Sequence, residues 1–554
     1  MEAREKKKRN KRELTEQEKN EKNLLKNFHK TSNRHVLVLE TDIKYQDRSK
    51  VFHYANLVRK AGNELLSIIK NNYEQLIRTK KYKKLKSLYF EYKSNENEEQ
   101  RKFIAKQMVE MQKKYNVTWE YCYQAMIPIG KKYHLNSVFA LTKAEDIWRS
   151  IETCLYGDGK TLHFAKYDDL PCIRAKQYNK AIILKNEKGI LIVKFNDLKF
   201  GVQIKDRFED EEVQAVLNYM ANSKDIDKEA IDLMQMKNTI KSTYRPCYAS
   251  LVCEKIRGKM RVYLHITLEG KAKPKYNKLG KNKHKMGKGI IGCDIGTQTI
   301  AYTSDSEVGL KNLAERGTSI WENERTERLL YRAMDRSRRI MNPDNYNADG
   351  TIKKGKKTWK KSKRYHKLQA KHQNLCRKNA INRHLAINED VNYIRSLGDV
   401  FITEPKNAKK LQKRTKTTTI NSKGKINRKK RFGKSIKNRC CGYFQQQIQN
   451  KFQVTQGVYV EVPNNYKASQ YDHTANEYIQ KKLSDRMYHL KDGTLVQRDW
   501  YSSYLLYSIN LINNQIDKTK CVQEFQKHYD KQQEMITEIK MNKIKVMNSG
   551  IKIR

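Results

Sequence analysis

The chain has 554 residues, with 115 Lys and Arg against 61 Asp and Glu, a formal net charge of +54. This length is more than one small core organises, and a charge of this sign and size predicts polyanionic partners held in a salt-sensitive way. No apolar run approaches the roughly 18 residues that span a bilayer, and no apolar core follows the basic start MEAREKKKRNKR, so no membrane or secreted protein is expected.

The ten cysteines include no CxxC pair, and Cys440 and Cys441 are adjacent, so reduced thiols and a cytoplasmic location are expected. In chain order, residues 1–45 read as a basic leader ending in a strand, HVLVLETDI at 35–43. Residues 46–158 read as a helical domain. Val51, Tyr54, Ala55, Val58, Ala61, Leu65, Ile68, Ile69, Tyr73 and Leu76 follow helical spacing, with further helices predicted over 97–113, with Phe103, Ile104, Met108 and Met111 on one side, and over 117–155. Its aromatic and Met stripe reads as core packing in preference to base stacking. Over 159–268 strands dominate, with hairpins at AIILK–ILIVKF and CYASLVCE–MRVYLHITL, which predicts a β-barrel or small β domain that could include strand 35–43. A lysine-rich linker, 269–288, follows.

Residues 289–304, GIIGCDIGTQTIAYTS, read as two strands joined at Gly296, with one carboxylate, Asp294, in an apolar run. Burying a charge there is costly without a cation, so Asp294 is either a metal ligand or an Asp closing the turn. A helix is predicted over 324–341. The stretch from Thr351 to Asn388 contains no acid, and 351–383 is predicted to form a helix pair along a phosphate backbone. The residues expected at phosphates are Lys353, Lys357, Lys360, Arg364, Lys371 and Arg377, joined by Lys413, Arg414, Arg428 and Arg431 from a basic stretch at 409–439 predicted to be a loop disordered without its partner.

In VFITEPKN, Val400, Phe401 and Ile402 read as a short buried strand with Glu404 just past its end, stopped by Pro405. A helix over 442–452 and a strand over 458–463 come next. Asp499 in QRDWYSSYLL opens a helix, either as its cap or as a carboxylate facing a sheet. A strand-end Asp, a strand-end Glu and a helix-borne Asp, in that order, match how an RNase H-like sheet gathers three carboxylates around two Mg²⁺ ions.

GCDIGTQTIAYTS resembles the first RuvC motif, VFITEPKN the second and QRDWYSSYLL the third, of transposon-encoded TnpB nucleases and compact type V CRISPR effectors. YFQQQIQNKFQVTQGVYVEVPNNYKASQ extends the resemblance over about the C-terminal half. The resemblance implies an α+β multidomain chain: a wedge-like β domain interrupted by a helical recognition bundle, then an RNase H-like RuvC domain at 289–455 and 499–554 around a degenerate zinc-ribbon-like insertion at 456–498. It also implies a guide-RNA-directed DNA endonuclease that reads a short flanking motif, with guide RNA and double-stranded DNA as partners and a homodimer on one RNA as an open arrangement. Asp294, Glu404 and Asp499 become the catalytic ligands of two Mg²⁺ ions, with Mn²⁺ as a substitute. Zinc is not expected, because no cysteine lies between Cys441 and Cys521 and His473 with His489 cannot complete a set. The third motif also departs from the family's Asp-x-Asn-Ala-Ala, reading Asp499, Trp500, Tyr501, Ser502, Ser503, which bears on cutting efficiency. The alternatives are a TnpB nuclease and a guide-dependent DNA-binding regulator that does not cut.

Overall fold

A computed structural model of the chain describes residues 15–21, 23, 34–157, 159, 161–167, 170–235, 245–257, 259–269, 277, 279, 282–414, 417–420, 424, 432–463, 466–482 and 484–553. Two units divide it, Met1–Ala272 and Lys273–Arg554. No helix of the described residues is long and apolar enough to cross a membrane.

In the first unit, strand β1 (Arg34–Thr41) leads into helix α1 (Tyr45–Arg78), whose apolar residues from Val51 to Leu76 recur every three or four positions and are buried. Thr79 ends it in extended backbone and caps α2 (Lys80–Ser94), a helix missing from the sequence reading because its few apolar residues are diluted by lysines. Asn97, Thr118 and Asn136 cap α3 (Glu98–Lys114), α4 (Trp119–Lys132) and α5 (Ser137–Tyr156) by accepting backbone N–H bonds. Met108 and Met126 are fully buried in the helical core, with Trp119 and Trp148 packed against it. Phe103, expected on the packed side, is 56% exposed.

The expected barrel is not closed. Among the described residues, β2 (Ile173–Ala175), β7 (Arg245–Ile256), β8 (Lys259–Glu269), β1 and β6 (Val202–Gln203) form one sheet in that order, while β3 (Ile182–Glu187), β4 (Ile190–Phe195) and β5 (Leu198–Phe200) form a second. The first sheet's edge strands have three and two residues, too short to carry the ladder round, and both sheets instead bury Leu39, Val193 and Leu264 in one core. Helix α6 (Arg207–Gln235) interrupts the segment read as strands and seats Val213, Val216 and Leu217 in that core. The chain from α1 to α5 is inserted between β1 and β2, two strands of the same sheet.

In the second unit, β9 (Ile290–Ile295), β10 (Thr299–Ser304) and β11 (Val308–Asn312) run antiparallel, and β12 (Val400–Thr403) and β13 (Val458–Glu461) lie parallel to β9, in the order β11-β10-β9-β12-β13. Helix α7 (Ser319–Ile340) precedes α8 (Lys363–Arg395), and α9 (Gly433–Arg439) and α10 (Cys441–Val454) follow β12. Alternation along β9 sends Ile291, Cys293 and Ile295 to a face covered by Ile387 and Ile394 of α8 and by Phe444 and Phe452 of α10. The opposite face takes α11 (Arg498–Tyr507) and α12 (Phe525–Met541) through Trp500, Tyr504 and Ile536.

Residues 351–362, expected as helix, are not helical; Gly355 has a φ of 98°, and Ser362 caps α8 by accepting the Tyr365 N–H. Within the stretch predicted as a loop, residues 433–439 are helical and Ile436 is buried; Arg428 and Arg431 lie outside the described residues.

Candidate active site

Strand alternation places two of the three predicted acids on one face. Ile402 pairs with Gly292 and Thr403 with Cys293, so Glu404, the next residue, continues the register opposite Asp294. Helix α11 brings the third. A Cβ on Gly292 would stand 2.2 Å from the Ser503 carbonyl oxygen and 2.2 Å from the Tyr507 nitrogen, so the glycine is what lets helix backbone lie against β9. The Thr303 and Ser503 hydroxyls bond at 2.8 Å, tying α11 to β10. Gly292→Ala is therefore expected to cost about 2 kcal/mol or more through overpacking, read as a lower unfolding midpoint of the full chain.

The turn after Asp294 is closed by backbone, the Gly296 N–H donating to the Thr299 carbonyl at 2.7 Å. Helix α11 is capped by Gln497, whose side chain accepts the Trp500 N–H at 2.7 Å, so Asp499 lies in the first turn with its carboxylate free of capping duty. Instead it faces Arg486, whose Nη1 stands 3.3 Å from Oδ1. The Glu404 Oε1 accepts the Ala468 N–H at 3.1 Å, beside a cavity of about 180 Å³ lined by Glu404, Pro405, Pro463, Lys467, Ser469 and Gln470.

Burial pushes the Asp294 carboxyl up to about 7, opposed by the Lys406 ammonium and reinforced by the charges of Asp499 and Glu404. The three acids thus feel one another, although among the described residues the ligand atoms found within 4.8 Å of one another belong to a different trio, Glu327, His372 and Cys376. Carboxylates are hard oxygen donors of the kind Mg²⁺ and Mn²⁺ take, and an acid whose proton affinity is raised by burial and like charge is one that a divalent cation would ionise.

The sign of the pH effect follows. A folded-state value near 7 against 3.8 for the free carboxyl means that the folded chain binds this proton more tightly. The resulting stability is complete below about pH 4 and lost as pH rises through 7, by roughly 1.4 kcal/mol per unit at most. Metal-free protein should lose melting temperature over that window, Asp294→Asn should flatten the profile, and Mg²⁺ should restore the loss near pH 7 and above.

Lys406 and Arg498 are candidate site residues that sequence reasoning passed over; both charges reach Asp294. Their signal was adjacency, two residues after Glu404 and one before Asp499. Of the predicted phosphate contacts, Lys353, Lys360, Arg364, Lys371, Lys413 and Arg414 are exposed, and Lys357 and Arg377 half-buried. Lys353, Lys357 and Lys360 sit on the irregular connection and Arg364, Lys371 and Arg377 on α8.

The stretch before α11 forms two small hairpins, β14 (Tyr471–Asp472) with β15 (Glu477–Tyr478) and β16 (Met487–His489) with β17 (Leu495–Gln497). One buried carboxylate ties them together: Asp472 accepts the Thr474 N–H and hydroxyl on one oxygen and the Lys491 N–H on the other. His473 and His489 are separately engaged, by the Tyr501 hydroxyl and the Gly493 carbonyl.

No protein-family model matches the sequence, and no curated protein matches it. Among solved structures, the chain is similar to one in the cryo-EM structure of a Cas12f1–sgRNA–target DNA complex, with 11% identity over 85% of this chain and 98% of that one, and a TM-score of 0.37.

Proposed function

We propose that the chain is a guide-RNA-directed, metal-dependent DNA endonuclease of the compact type V CRISPR effector kind, with Asp294, Glu404 and Asp499 as its metal-binding carboxylates. The observation that supports this reading is the register of Glu404 opposite Asp294, with Asp499 in the first turn of α11, near enough for the charges of Glu404 and Asp499 to act on Asp294. The order β11-β10-β9-β12-β13, with three antiparallel strands followed by two parallel to the first, supports an RNase H-like RuvC domain. Two Mg²⁺ ions, or Mn²⁺, bound there would supply an activated water and stabilise the leaving oxygen of a phosphodiester.

The remaining roles belong to the chain's own side chains. Lys406 and Arg498 bring positive charge to the acids, where a non-bridging phosphate oxygen would also need it. Arg486 fixes the Asp499 carboxylate. The exposed cations of α8 and of the connection before it, on a chain of +54, suit an RNA and the DNA it pairs with. The test is cleavage of guide-matched duplex by the protein with its co-purifying RNA, in Mg²⁺ and in EDTA. Binding without nicking in either would favour the non-cutting regulator, and a transposon end rather than a repeat array beside the gene would favour the TnpB alternative.

A further inference from the structure

We infer that Glu327 of α7 with His372 and Cys376 of α8 form a second metal site, of the zinc type, separate in position and chemistry from the carboxylates. His372 and Cys376 are four residues apart and so share one face of α8, while Glu327 reaches them from α7. The Cys376 Sγ stands 3.5 Å from the His372 Nε2 and 4.0 Å from the Glu327 Oε1, and the His372 Nε2 stands 3.8 Å from that oxygen. In a tetrahedral shell with metal–sulfur near 2.3 Å and metal–nitrogen and metal–oxygen near 2.0–2.1 Å, those separations are about 3.6, 3.6 and 3.3 Å. Shifts of about half an ångström or less would bring the three ligands to these separations, with water as the fourth ligand. The His372 and Glu327 side chains are 12% and 16% exposed, leaving a route for an ion. The Tyr331 ring, with its centroid 4.2 Å from that of His372, restrains the imidazole.

A thiolate, an imidazole and one carboxylate select a borderline-soft ion over Mg²⁺, which separates this site from the three acids. A cation already attends it: Lys437 of α9 places its Nζ 2.7 Å from the Glu327 Oε1. Zn²⁺ would enter as the thiol proton leaves, forming the metal–sulfur bond, and would compete with Lys437 for Glu327. The product joins α7 to α8 and gains one positive charge, Zn²⁺ replacing H⁺. It also frees Lys437 on a basic stretch. The sequence hides this site because its two neighbouring ligands, His-x-x-x-Cys, need a partner 45 residues upstream.

Cobalt(II) is the probe. Reduced, chelator-stripped full-length protein in excess Mg²⁺, added to compete for all-oxygen sites, should take up one equivalent of Co²⁺ with a thiolate-to-cobalt charge-transfer band. Apparent affinity should rise about tenfold per pH unit below the thiol's pKa, one proton leaving per ion bound. Cys376→Ser should abolish the band, Glu327→Gln should weaken binding at least about tenfold while sparing helix pairing, and Lys437→Ala should tighten it a few-fold. Absence of a band at one equivalent overturns the proposal, as does a band that survives Cys376→Ser and so comes from one of the other nine cysteines. If Cys376→Ser does not fold, unchanged affinity in Glu327→Gln overturns it equally.

Discussion

Asp294→Ala should lower Mg²⁺-dependent cleavage of guide-matched DNA by about 10³-fold or more while the chain keeps its RNA. The expected loss is this large because Asp294 is central to the three acids: it lies within β9, opposite the register position of Glu404, with the charges of Asp499 and Glu404 both acting on it. Removing it would leave Glu404 and Asp499 alone to hold a divalent cation. Removing this charge also relieves repulsion among the acids, so the variant should melt no lower than the parent at pH 8 without metal; lost cleavage with unchanged or raised stability would mark a chemical role. Glu404→Gln and Asp499→Asn should lose cleavage comparably, and pairs of these substitutions should lose little more than either alone, since residues acting as a unit are not additive. Cleavage that persists within tenfold in Asp294→Ala would end the nuclease reading.

Much of this site was legible because strand and turn chemistry are local. Asp294 between isoleucines, Gly296 at the turn and Pro405 just after Glu404 each mark a strand end within a few residues. What the residues could not give was register. Only the pairing of Ile402 with Gly292 puts Glu404 beside Asp294, and only the absent side chain of Gly292 explains how α11 comes close enough to add Asp499. Composition misled in two places. Lysines diluted the helical period of α2, and the acid-poor run 351–362 was read as helix although Ser362 caps α8 only after it. The barrel expectation failed because closure depends on edge-strand length, and β2 and β6 have three and two residues.

Salt provides the second large expected effect. If 6–10 phosphates are neutralised, affinity for the guide-paired DNA should fall by about 10³- to 10⁵-fold between 50 and 200 mM salt, with log affinity linear in log salt. The exposed cations Lys353, Lys360, Arg364 and Lys371 are the residues to which this slope should belong. Alanine at any one should reduce its magnitude by roughly one contact's worth, about 0.7–0.9, because each releases its own condensed counterion. Lys406 and Arg498 provide the contrast. Their charges act on the Asp294 carboxyl and hold its proton affinity down. Alanine there should therefore, whatever it does to the salt slope, also raise the pH at which cleavage turns on, which alanine at Lys353, Lys360, Arg364 or Lys371 should not. Equal slopes for the parent and for a combined Lys353, Lys360, Arg364 and Lys371 alanine variant would place the polyanion elsewhere on the chain and leave the acid-free run from Thr351 to Asn388 as a solvated face.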